Sequence, residues 1–211
     1  MKRLITLFLA LLLLSSLAAC GEGGLSLDFL GKGGSSDSRG AGGEDGLIRP
    51  DEDGIAVGRI GDTLRTAFFD MTVTAAYTCG EFDGLTPTEG YKFLVAELTL
   101  YNYTDESQPI FDTDFEVMWD LDDDDAWAWP ECDEVMNEDG EVEYFTKSDR
   151  QLPIEYSLVI DTTYTGLLLY QVPQDTTEYY IDFYEAFDNG TEEGEWGDAF
   201  FVEFSAEERG E

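Results

Sequence analysis

The stretch from Tyr91 to Tyr103 limits the fold more than any other part of the chain. Leu94, Ala96, Leu98 and Leu100 take every second position, and Phe93 and Val95 add apolar surface on the opposite side at its start. A repeat of two sends successive side chains to opposite faces, so this segment reads as a strand buried on one face throughout and on both faces for part of its length. Such a strand belongs in the middle of a sheet. The same repeat returns along the chain. Phe69, Met71, Val73 and Ala75 alternate with Asp70, Thr72 and Thr74, and Phe115, Val117 and Trp119 alternate with Asp114, Glu116 and Met118. Leu152, Ile154, Tyr156 and Leu158 share one face, and a strand from Tyr164 to Val172 is closed by Pro173, which has no N–H to give a ladder. Ile181 and Phe183 belong to a strand beginning near Tyr179, and Phe200, Val202 and Phe204 mark the last. Turn residues separate these runs at Thr78 to Gly90, Asn102 to Gln108, Asp139-Gly140, Asp161-Thr162-Thr163 and Asn189-Gly190. No helical period follows Ile55. The expectation is an all-β protein, an antiparallel β-sandwich of roughly seven to nine strands over residues 55–205, ending in an acidic tail at 206–211.

The N-terminus is built differently. Lys2 and Arg3 precede an apolar run from Leu4 to Leu14, then Ser15 and Ser16, then Leu17-Ala18-Ala19-Cys20, which is the charged, apolar and small-residue order of a secretory signal. From Leu4 to Ala19 is 16 residues, short of the roughly 20 needed to span a bilayer as a helix. The site ending in Cys20 resembles a bacterial lipobox. That resemblance implies a signal peptide at 1–19, cleavage before Cys20 and a diacylglycerol on the Cys20 sulfur, with fatty chains such as palmitate holding the protein at the extracytoplasmic face of the cell membrane. Residues 20–54 are rich in Gly, Ser and Asp and have no period of either kind. They read as a disordered tether with a mean reach on the order of 30 Å.

Charge removes whole classes of function. The chain carries 47 acidic against 11 basic residues, a formal net charge of -36. Nucleic acids are held by clustered Lys and Arg that release counterions, and here the basic residues are scattered, so no nucleic-acid partner is expected. Cationic partners are favoured instead. Histidine is absent, which removes a Ser-His-Asp or Cys-His relay and the commonest zinc ligand. With 43% hydrophobic and 14% aromatic residues the chain still packs a core.

Several fragments together resemble one family. Ile60-Gly61-Asp62-Thr63, Phe68-Phe69-Asp70-Met71-Thr72-Val73, Glu89-Gly90-Tyr91-Lys92-Phe93-Leu94-Val95 and Leu98-Thr99-Leu100-Tyr101-Asn102 are similar to the telokin-like, immunoglobulin-like domain of unknown function found in lipoproteins of Gram-positive bacteria. Leu152-Pro153, Tyr156-Ser157-Leu158, Thr165-Gly166 and Val172-Pro173 resemble its second half. The resemblance implies an immunoglobulin-like sandwich on the cell surface and no catalytic residue. The stretch between Trp119 and Leu152, acidic and Trp-rich, departs from the family pattern.

Four sets of residues could carry chemistry. Cys79 and Cys132 could form a disulfide in an exported compartment, which would add about 4 kcal/mol by loop closure, or stay as separate thiols. Asp120, Asp122 and Asp124 with Glu131 match part of a calcium loop, although Asp125 stands where that loop needs glycine. Trp127 and Trp129, with Tyr179, Tyr180 and Tyr184, could stack sugar rings beside carboxylates, or simply fill the core. Paired carboxylates are the remaining route to catalysis, and no spacing singles out a pair. The expectation is therefore a surface lipoprotein, not an enzyme and without a cofactor, whose sandwich binds an envelope or extracellular protein or glycan. The alternative is a receptor for a small ligand, carbohydrate or divalent cation that uses the acidic insertion.

Overall fold

The structure is a computed structural model that describes residues 45–121, 123, 125–187 and 195–209. The signal segment, Cys20 and most of the expected tether lie outside the described residues, as does the turn at Asn189-Gly190. The described residues form two five-stranded sheets. One runs in the order β1 (Leu47–Ile48), β3 (Thr63–Arg65), β4 (Asp70–Cys79), β5 (Tyr91–Tyr101) and β12 (Thr163–Pro173). The other runs β2 (Ile55–Arg59), β14 (Glu195–Ser205), β13 (Glu178–Phe187), β7 (Glu116–Met118) and β8 (Trp127–Ala128). Two pairs stand apart from these sheets: β6 (Gln108–Phe111) with β11 (Glu155–Leu158), and β9 (Cys132–Met136) with β10 (Val142–Thr146). The only helical piece among the described residues is a 3-10 turn, Asp112–Asp114.

The alternation that identified β5 does what it should. Leu94, Ala96, Leu98 and Leu100 are fully buried and meet Met71 and Val73 of β4, Leu168, Tyr170 and Val172 of β12, and Tyr179, Ile181, Phe183, Phe200 and Val202 of the facing sheet in one core. On the other side of the first sheet Phe93 and Val95 join Leu167, Leu169, Cys79 and Phe82 in a second, smaller apolar cluster. The central place of β5 follows from having neighbours on both edges. β4 and β12 both run antiparallel to it, the latter in register from Thr163 opposite Tyr101 to Pro173 opposite Tyr91.

Four features differ from the expectation. The described residues hold fourteen strands rather than seven to nine, because pieces such as β1, β3, β7 and β8 are only two or three residues long and too short to show a period. The sheets are mixed rather than purely antiparallel: β1 pairs parallel with β3, and β2 pairs parallel with β14. Periodicity reports which face is buried and carries no information about a partner's direction. The folded unit also takes in Leu47 and Ile48, upstream of Ile55, because Ile48 is buried in the core. At the other end the acidic tail is partly structural: Ala206 is buried, and the Arg209 N–H donates to the Thr78 carbonyl at 2.8 Å.

The stretch from Trp119 to Leu152 crosses from one sheet to the other. It leaves β7 through a turn, closed by the Trp119 N–H donating to the Ala126 carbonyl at 3.0 Å, and adds β8 to the edge of the second sheet. It then reaches the edge of the first sheet, where the Glu131 N–H donates to the Leu169 carbonyl at 2.6 Å. On its return, the Leu152 N–H donates to the Leu167 carbonyl at 2.8 Å and the Leu167 N–H to the Arg150 carbonyl at 3.0 Å. The exposed side of β12 is thus covered, the usual remedy for an unpaired edge. Gly166 makes this crossing possible, since a Cβ there would lie 2.7 Å from Leu152 Cδ2.

Candidate functional site

Of the four carboxylates read as a calcium loop, Asp122 and Asp124 lie outside the described residues, and Asp120 and Glu131 fall into separate surroundings. Asp120 sits in the turn after β7, where its carbonyl accepts from the Asp123 N–H at 3.4 Å. Glu131 lies beyond β8, and its carboxylate pairs with Lys147 at 3.1 Å. A strand therefore interrupts the twelve-residue stretch read as a calcium loop. Among the described residues no group of three or more His, Cys, Asp or Glu side chains is placed to hold a metal ion. Cys79, buried, and Cys132, half-buried, stand as free thiols. Burial raises the pKa of both above the ordinary thiol value.

Trp127 and Trp129 are brought together. Their rings meet edge to face at 5.0 Å and 70°, and they are 37% and 43% exposed. Trp129 Nε1 donates to Glu116 Oε1 at 2.8 Å. Of the tyrosines grouped with them, Tyr179 is fully buried in the core and its hydroxyl donates to the Thr176 carbonyl at 2.6 Å. It is no part of a surface. Tyr180 and Tyr184 alternate with the core residues of β13 and so lie on the outer face of the second sheet, the face that also carries Glu116.

That outer face holds a residue the sequence did not single out. Asp182 stands between Ile181 and Phe183, with Glu116 of β7 opposite it on one side and Phe201 of β14 on the other. It is 1% exposed; its carboxyl accepts backbone hydrogen bonds from Glu116 and from its own residue, while among the described residues its Oδ1 has no hydrogen-bond partner. Burial first, and the neighbouring Glu116 charge second, push its pKa up to about 8. Glu116 is raised as well, by burial, against the opposing pull of the Trp129 indole N–H. Beside them Tyr184 meets Phe201 edge-on at 5.9 Å and Trp196 at 6.5 Å, and Trp196 is 70% exposed. The result is a pair of adjoining acids flanked by indoles on one side and by Tyr184 and Trp196 on the other. Outward-facing residues of β7, β13 and β14 were readable from alternation. Their assembly depends on which strands pair, and in what register, which the alternation does not encode.

A second surface is apolar. Hairpin β9–β10 turns at Asp139-Gly140, as its sequence suggested: Asn137 Oδ1 accepts from the Asp139 and Glu141 N–H groups at 3.1 and 2.9 Å, and Gly140 takes a φ of +79° that favours glycine. Among the described residues the two strands pair with each other and with no further strand. Val135, Met136, Val142, Tyr144 and Phe145 are 41–72% exposed along it. A concavity elsewhere, between Phe68, Pro109, Phe183 and Tyr184, holds about 180 Å³. That is below the roughly 300 Å³ at which small-molecule sites begin.

No protein-family model matches the chain, and no curated protein matches it. Among solved structures the chain is similar to the yjhA protein of Bacillus subtilis, at 17% identity over 60% of this chain and 79% of that one, with a TM-score of 0.39. It is similar to an uncharacterised β-sandwich protein of Clostridium difficile, at 12% identity over 71% of this chain and 93% of that one, with a TM-score of 0.37. It is also similar to a presumed lipoprotein of Staphylococcus aureus, at 10% identity over 72% of this chain and 94% of that one, with a TM-score of 0.42.

Proposed function

We propose that the chain is a lipid-anchored protein of the extracytoplasmic membrane face, whose sandwich works without catalysis as an interaction module and meets a basic protein segment through hairpin β9–β10. The anchor rests on the lipobox-like Leu17-Ala18-Ala19-Cys20. Among the described residues no helix is long and apolar enough to cross a membrane. The observation that carries the reading is the hairpin itself. A two-stranded sheet standing alone in water is marginal, and this one exposes large apolar side chains along its length. Its charge selects the partner: Asp133, Glu134, Glu138, Asp139, Glu141 and Glu143 fringe the apolar residues, and the nearby Lys147 is committed to Glu131 and Asp133 at 3.1 and 3.7 Å. Two copies of so acidic a hairpin would repel each other, whereas a strand bearing Lys or Arg among apolar residues would gain both contacts.

The test is capture from cell-envelope extract with the full chain and with a variant carrying Met136→Ser, Tyr144→Ser and Phe145→Ser. A basic protein retained by the first, released by rising salt and lost with the second is the expected result. Equal retention by both chains would refute the hairpin as the docking element. Cys20→Ala should release the chain from the membrane fraction, and a chain that stayed there would refute the anchor.

A further inference from the structure

The outer face of the second sheet carries an arrangement that the hairpin does not use. Asp182 is 1% exposed with an unpartnered Oδ1, and Glu116 lies opposite it in register. A buried acceptor without a donor costs stability, and a second acid beside it adds to the cost. A fold that keeps such a pair keeps a place for an incoming donor, since violations of this kind collect at functional sites. The surroundings specify which donor. Trp127 and Trp129 meet edge to face at 70°, both exposed, and Trp129 Nε1 donates to Glu116 Oε1 at 2.8 Å. Exposed indoles beside carboxyl groups are suited to a cation carrying N–H groups, which a ring face attracts and a carboxylate accepts from. A neutral sugar would use the rings and gain little from two adjoining acids. A metal ion would want further ligands, and among the described residues no cluster of three or more exists.

We propose that this face binds a primary ammonium group, with Asp182 and Glu116 accepting its N–H donors and Trp127 and Trp129 forming its walls. The ammonium takes the place of the Trp129 indole as the donor to Glu116. The group can belong to a free amine or to a lysine side chain, and the experiment separates the two sources. Trp fluorescence of the full chain is titrated at pH 9, above the Asp182 pKa of about 8, with methylammonium chloride, with a capped lysine amide, with glucose and with sodium chloride at matched ionic strength. The expected result is a saturable change with the amines and none with glucose or sodium. Tighter binding of the lysine amide than of methylammonium assigns the site to a polypeptide, and equal binding assigns it to free amines. Asp182→Asn and Glu116→Gln should each weaken amine binding at least tenfold. At pH 9 Asp182→Asn removes a buried charge and should fold at least as stably as the parent, so its loss of binding is not loss of structure. No saturable response to either amine, undiminished binding by Asp182→Asn, or a glucose response matching that of the amines would each overturn the proposal. The hairpin variant should bind amines as the parent does, which keeps failure of the docking reading separate from failure of this one.

Discussion

Replacing Asp182 by Asn should make the protein more stable, and more so as pH rises. The carboxyl has a folded pKa of about 8 against an ordinary value of 3.8. Between those values the unfolded chain has released a proton that the folded chain still holds, so folding takes up a proton and stability falls as pH rises through the window. Each unit of displacement is worth about 1.4 kcal/mol, which sets a ceiling of roughly 5 kcal/mol on the loss between pH 4 and 8. Asparagine has no such titration. Its amide N–H groups would be buried, at a cost of about 1–3 kcal/mol for whichever of them finds no acceptor. The net gain at pH 8 is then roughly 2–4 kcal/mol, shrinking and reversing toward pH 5. Asp112 and Asp114, each raised to about 6 by burial, add a slope of the same sign at lower pH and are untouched by the substitution. Urea unfolding of the segment 45–209, followed by Trp fluorescence at half-unit steps of pH, measures the difference. Parallel stability curves for parent and Asp182→Asn between pH 6 and 8 would refute the reasoning.

The other predictions concern the frame and its thiols. Asn102 is fully buried with its amide bonded on both sides: Nδ2 donates to the Glu106 and Leu158 carbonyls at 2.8 and 2.9 Å, and Oδ1 accepts from the Thr104 N–H and hydroxyl at 2.8 Å each. At about 1 kcal/mol net per bond, with the Leu158 carbonyl left buried, Asn102→Ala should lower stability by roughly 3–4 kcal/mol in urea, and a loss under about 1 would contradict the count. Gly166→Ala should cost about 1–3 kcal/mol through contact with Leu152, and a double-mutant cycle with Leu152→Ala should recover part of that loss; strict additivity would show that the contact is relieved elsewhere. Alkylation without reductant should label both Cys79 and Cys132 in the unfolded chain, and Cys132 faster in the folded one because Cys79 is 7% exposed within an apolar cluster. Labelling that required prior reduction would show a bridge.

Much of the frame was legible because one buried face per strand leaves a mark every second residue. Leu94 to Leu100, Met71 with Val73, and Phe200 to Phe204 all went to the core that their alternation assigned them. The marks fail where the backbone slips by one residue. Thr74 is the extra residue of a bulge in β4, its hydroxyl turned to the Glu97 carbonyl at 3.3 Å, and this is why Ala75 does not continue the row begun by Met71 and Val73. Glu185 sits at the corresponding break in β13. Its carboxylate turns inward to accept from the Ala67 and Asp198 N–H groups at 2.5 and 3.2 Å, so a charged residue is buried where the sequence would place it in water. The candidate site was half legible for a different reason. Trp127 and Trp129 stand out by their rarity, but Asp182 is one acid among 47, and only the pairing of β13 with β7 sets it against Glu116.

The two short N-terminal strands have a mechanical consequence. β1 joins the first sheet and β2 the second, each lying parallel to its partner. Tension entering at Leu47 along the strand direction would load these ladders in shear, several hydrogen bonds at once, instead of peeling them apart one by one. The two residue pairs of β1 would yield before the five of β2, so the chain could lengthen by a short step under pull while the layers behind it stay closed.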